Sequence, residues 1–164
     1  MKIAIVTDST CYLPQAEIDK HHITVVPIPV ILDGAVYDEG KDITTEEFYA
    51  KLKTAKTFPS TTQPPLGEML KLYENLANEG YDTIISIHLA STISGFVNTL
   101  KGAVDEVQGA KVYVYDSQIT VILMGWLVLA AAQMAEAGDD PEAILARLDN
   151  LRTTMGEYFI VNDL

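Results

Sequence analysis

The sequence is poor in cysteine and in positive charge. Cys11 is its only cysteine, so no internal disulfide can form, and nothing else suggests an oxidising compartment. A cytoplasmic location is the expectation. Lysine and arginine together number 11 against 23 aspartates and glutamates, a formal charge of −12. Gripping nucleic acid or an anionic membrane surface needs clustered basic side chains, so both roles drop out. Also missing are a Gly-x-Gly-x-x-Gly turn after a strand, a Gly-Lys-Ser/Thr pair and a Gly-x-Ser-x-Gly elbow. Their absence removes the common signatures of dinucleotide, phosphate-loop and hydrolase chemistry. No catalytic residue, cofactor or metal site is expected.

Long apolar runs are scarce too. Residues 119–135 come nearest to a membrane span, yet Asp116 precedes them and Glu136, Asp139 and Asp140 follow, with no Lys or Arg to set a topology. A buried core helix is the better reading. The apolar start, residues 1–6, is too short for a secretory signal and reads as a buried strand.

What is present is a length of 164 residues, enough for one domain with a real core, and an alternation of β-branched runs with amphipathic stretches. That alternation predicts an α/β fold, a mostly parallel sheet flanked by helices. Strands are predicted at residues 2–7, 24–30, 83–88 and 111–115, with a short one around Val36 and a last one at 158–161. Helices are predicted after Pro14, after Thr44 or Thr45, from Pro64-Pro65 to Asn78, from Gly95 through Val107, and from Pro141 to Arg152. Gly80, Gly109 and Gly138 mark ends of helices or turns. Residues 57–63 read as an exposed loop.

Two hydroxyl-rich segments stand where α/β proteins place ligands, beyond strand ends and at helix N-termini. One is Ser91, Thr92 and Ser94 with Gly95, after the strand ending at His88; the other is Ser60-Thr61-Thr62-Gln63 ahead of Pro64. Their donors and the free amides of a helix start suit a small anion. The plainer reading is that Ser91 or Thr92, and Thr62, simply cap helices. Asp8 with Ser9, and Asp116 with Ser117, follow two other strands, where the carboxylates would hold loop amides. His88 reads as a structural histidine because the sequence places no acid beside it. His21 and His22 fit a helix C-terminus.

In order and spacing, Thr7-Asp8-Ser9-Thr10, Ser60-Thr61-Thr62-Gln63-Pro64, Ile87-His88-Leu89-Ala90-Ser91-Thr92-Ile93-Ser94-Gly95 and Tyr115-Asp116-Ser117 resemble the N-terminal portion of the DegV family. That family is similar to the fatty-acid-binding subunit of bacterial fatty acid kinase. The resemblance implies the N-terminal lobe of a two-lobed protein over residues 1–164, with the second lobe absent from this sequence. It implies a non-enzymatic carrier that holds a fatty acid by its carboxylate through Thr61, Thr62, Ser91, Thr92, Ser94 and Gly95, and presents it to a kinase. Asp8, Ser9, Asp116 and Ser117 would support those loops. The sequence departs from the family at Ala90, a position usually serine, at Phe96, and at the bulky Val121, Ile122 and Leu123. Without a second lobe, self-association through the uncovered face is expected. A competing function is a phosphometabolite-binding enzyme or phosphate-accepting protein using the same helix N-termini, although Lys56 is the only basic residue near either hydroxyl turn. A third is an interaction domain with no ligand of its own.

Overall fold

The computed structural model of the chain describes residues 1–160. Its core is a four-stranded, wholly parallel sheet flanked by helices. The strands are β1 (Ile3–Asp8), β2 (Thr24–Val26), β6 (Thr83–His88) and β7 (Lys111–Asp116), ordered β2-β1-β6-β7. The two central strands, β1 and β6, are almost wholly buried, as expected where both faces of a parallel sheet are covered. A second, antiparallel sheet is ordered β4-β3-β5, from β3 (Pro29–Leu32), β4 (Ala35–Asp38) and β5 (Ser60–Thr61).

The expected strand at residues 24–30 is therefore two strands in different sheets. Pro27 lies between them and has no N–H to give a ladder, and the Ile28 amide instead donates to Ser9 Oγ at 2.9 Å. The strand expected around Val36 is β4, joined to β3 by Asp33-Gly34, both at positive φ (48° and 81°). That conformation suits a two-residue hairpin turn. The 57–63 segment is only partly a loop: Ser60 and Thr61 pair with Ile31 and Val30 of β3.

Helices α1 (Gln15–Lys20), α2 (Thr45–Leu52), α3 (Leu66–Asn78), α4 (Phe96–Lys101), α5 (Val121–Ala137) and α6 (Pro141–Arg152) fill the intervals. Thr44 and Glu47 close a reciprocal capping box on α2, and Asp140 accepts from the Ala143 amide at the start of α6. The helix expected to run to Val107 ends at Lys101, where Gly102 weakens it, and a 3-10 turn follows at Val104–Glu106. The most apolar stretch folds as α5, which packs against β1, β6, α6 and the 3-10 turn Ser9–Cys11. Among the described residues no helix is long and apolar enough to cross a membrane. The expected terminal strand does not form over its described part: Tyr158, Phe159 and Ile160 are unpaired and exposed, and Val161 lies outside the described residues.

The bulky start of α5 has a visible consequence. Val121 opens the helix at φ 49°, a left-handed conformation in which a β-branched residue crowds its own backbone. Replacing Val121 with glycine is expected to stabilise the fold by about 1 kcal/mol, the relief of that crowding outweighing the loss of a half-buried side chain. Chemical denaturation checks this; an unchanged or lower midpoint would show that the packing of Val121 outweighs its backbone strain.

Candidate ligand site

Every candidate site residue lies on a segment that leaves a strand at its C-terminal end or enters a helix. Beyond β6 the chain turns at once: the Ile93 and Ser94 amides donate to the Ala90 carbonyl, and the Ala90 amide donates to Ile119 O at 2.9 Å. This turn lifts Ser91, Thr92 and Ser94 toward the surface and leaves Ala90 buried. Neither Ser91 nor Thr92 caps α4, contrary to the plainer sequence reading. Gly95 occupies the cap position without a side-chain bond, and Ser94 Oγ takes the Phe96 amide at 3.2 Å. Thr62 does not cap α3 either, because Pro65 stands at that cap.

The two hydroxyl segments meet through Gln63. Thr99 Oγ1, one turn into α4, donates to Gln63 Oε1 at 3.1 Å, and a methyl group on Gly95 would lie 2.9 Å from Gln63 Nε2. Gly95 has an ordinary helical φ of −67°, so glycine is favoured here by space. Thr61 also lines a pocket of about 340 Å³ between α2 and the antiparallel sheet, with Val30, Ile43, Phe48, Tyr49 and Glu39 among its walls. Ser91, Thr92 and Ser94 do not reach that pocket.

The supporting loops are held by carboxylates. Asp116 Oδ1 accepts from the amides of Ser91 (3.1 Å) and Gln118 (3.0 Å). Partial burial raises its pKa, but hydrogen bonds from Ser91 and Gln118 outweigh that and hold it below the usual carboxylate range. Ser117 Oγ donates to Ile119 O at 2.8 Å. Ser9 Oγ donates to Glu39 Oε2 at 2.6 Å, and Tyr12 OH to Glu39 Oε1 at 3.1 Å.

Asp8 is fully buried. Its Oδ1 accepts from Thr10 N (3.1 Å) and Thr10 Oγ1 (2.5 Å), while Oδ2 accepts from Leu89 N (3.2 Å) and meets His88 Nδ1 at 2.9 Å. Burial raises the Asp8 pKa, yet its bonds to His88, Thr10 and Leu89 leave it lowered. The histidine thus has an acid partner that the sequence did not place. A carboxylate only accepts, so Nδ1–H donates, and His88 Nε2 is left to meet Ser86 Oγ at 2.7 Å. Sequence reasoning also missed Gln63 and Glu39 as contacts. One signal was available: Ser86 and His88 are polar residues two apart in an apolar strand, so they share a face.

No described group of His, Cys, Asp and Glu is arranged to hold a metal ion. Hydroxyls, a nearby helix start and an adjoining apolar pocket instead suit an amphiphile with a small polar head.

Comparison with known proteins agrees with this architecture. A family model described as "Uncharacterised protein, DegV family" matches residues 2–164. A DegV domain-containing protein of Listeria innocua is 43% identical over 163 residues, 99% of this chain and 58% of the relative. Protein DegV of Bacillus subtilis is 38% identical over 165 residues, 100% of this chain and 58% of the relative. The chain thus spans little more than half the length of the curated relatives it matches. The crystal structure of DegV from Bacillus subtilis, described as a fatty acid binding protein, superposes with a TM-score of 0.88 at 36% identity, covering 93% of this chain and 54% of that one. A DegV family protein from Thermus thermophilus, described by its fatty acid binding, gives a TM-score of 0.84 at 37% identity, covering 93% and 54%. With its parallel sheet, its hydroxyl turns and a match along nearly its whole length, the chain belongs to the DegV family.

Proposed function

We propose that the chain is the head-group-binding lobe of a fatty acid carrier that presents its lipid to a partner kinase. The observation that carries this reading is the meeting of the two hydroxyl segments at Gln63, in a fold shared with relatives described as fatty acid binding. Thr61, Thr62, Ser91, Thr92 and Ser94 supply donors for a carboxylate, which needs no full positive charge to be held. The pocket that Thr61 lines carries Val30, Ile43, Phe48 and Tyr49 in its walls, apolar surface suited to part of an acyl chain. Each methylene removed from water contributes about 0.8 kcal/mol, so the tail supplies the affinity and the hydroxyls set the orientation.

Native mass spectrometry of the chain purified from bacteria is expected to show a retained mass in the fatty acid range. Titration with palmitate, together with the remaining length found in its relatives, is expected to show saturable binding. No binding in that longer form would end the carrier reading. Replacing Thr61 or Ser91 with alanine is expected to weaken palmitate binding by about 1–3 kcal/mol each, the usual loss when a charged acceptor forfeits a hydrogen bond. A double variant that binds as the parent does would remove both residues from the site.

A further inference from the structure

Ser86 and His88 project from the same face of β6, and Val6 and Asp8 from the matching face of β1, because the two parallel strands pair Val6 with Ser86. On that face α3 delivers Tyr73, whose hydroxyl lies 2.8 Å from Ser86 Oγ. The Phe96 ring of α4 packs edge-on against His88 with centroids 4.7 Å apart. The result is a continuous hydrogen-bonded chain, Tyr73 to Ser86 to His88 to Asp8, in which all four residues are 0% exposed. At its far end Asp8 grips Leu89 N and both donors of Thr10.

We propose that this buried chain is a positioning device, fixing where the 89–95 turn presents Ser91, Thr92 and Ser94 to a lipid head group. Three segments that carry candidate site residues have their roots in it. The turn after β6 is tied through Leu89, the turn after β1 through Thr10, and α3, joined to Thr61, Thr62 and Gln63 by Pro64 and Pro65, through Tyr73. The order of the groups, acid to imidazole to serine hydroxyl, is that of a nucleophilic triad. Complete burial of Ser86 beneath Tyr73 denies it a substrate, and the geometry serves orientation instead. The inference takes from the lipid-binding reading only what the turn binds.

The decisive variants differ in which nitrogen of His88 they replace. In His88→Asn the side-chain amide can stand near Nδ1 and donate to Asp8; in His88→Gln it stands near Nε2 and leaves Asp8 Oδ2 without that donor. Both should be studied well below their melting transitions, beside Tyr73→Phe, which deletes one oxygen and leaves the packing. Amide chemical shifts of residues 89–95 in the unliganded chain are expected to move in His88→Gln and return toward the parent in His88→Asn, with a smaller movement in Tyr73→Phe. Palmitate affinity is expected to fall about tenfold in His88→Gln and to recover to within about threefold in His88→Asn. A purely structural role would lower the melting temperatures yet leave shifts and affinity at parental values, and that result overturns the proposal. Labelling of Ser86 by a fluorophosphonate would overturn it too, by showing an accessible nucleophile. If the parent binds no palmitate in any form, the lipid-binding reading fails, while the amide shifts still decide whether the chain positions the turn.

Discussion

Replacing Asp8 with alanine is expected to destabilise the protein by about 3–5 kcal/mol, because it strips one partner from a fully buried acid–imidazole pair. His88 Nδ1, Leu89 N and both donors of Thr10 would lose their acceptor at once, and buried polar groups left without partners keep their full desolvation penalty. Asp8→Asn should be milder, since its amide oxygen can still accept one or two of these bonds. The pH dependence follows from the lowered pKa of Asp8. A carboxylate whose pKa is depressed by folding contributes stability that is complete above its unfolded value, near 3.8. The contribution is lost as pH falls from there through the folded value. Urea unfolding at neutral pH and near pH 3 tests both parts. Equal midpoints for parent and Asp8→Ala at neutral pH would mean that the network contributes nothing, and a gap that widened under acid would reverse the expected sign.

Gly125→Ala is expected to be the other severe change. In an exposed helix such a substitution would gain about 1 kcal/mol from helix propensity. Here the added methyl would stand 2.5 Å from the Cys11 carbonyl oxygen and 2.9 Å from Leu13 Cδ2. The nearer obstacle is backbone, which cannot rotate away as a side chain can, so α5 and the 3-10 turn at Ser9–Cys11 must separate. Overpacking of this kind costs about 1–3 kcal/mol, occasionally more, and Gly125→Val should cost more than Gly125→Ala. Because that turn begins at Asp8 and carries Ser9, amide shifts of Thr10 and Leu89 should move with the loss of stability. A stabilised Gly125→Ala variant would show that the helix and the turn are not in close contact.

The two central strands and the amphipathic helices were legible because their signals are local: continuous β-branched runs, helix starts at Pro14, Thr44 and Pro141, and glycines at Gly80 and Gly138 with φ of 94° and 89°. The hydroxyl turn at residues 91–94 was legible for the same reason, since it follows β6 directly, whereas Ser60 and Thr61 turned out to be a strand themselves. What escaped was non-local. Pro27 signals a break but not that the chain passes into a second sheet, and nothing near Ser60 announces its pairing with Ile31. The partnership of His88 with Asp8 spans 80 residues and appears only when β1 and β6 lie side by side. Ser91, Thr92 and Thr62 looked like caps by residue type; proline and glycine at the actual cap positions displaced them.

The same 80-residue separation governs the order in which the molecule can be made. A ribosome adding roughly 5–20 residues per second needs about 4–16 s to travel from β1 to β6. During that interval the apolar strand Ile3–Asp8 has one parallel neighbour available, β2, which meets only its second half through Val6, Thr7 and Asp8. The nascent chain therefore carries an open sheet edge for seconds before its central partner emerges, a template for wrong pairing of the kind that chaperones shield.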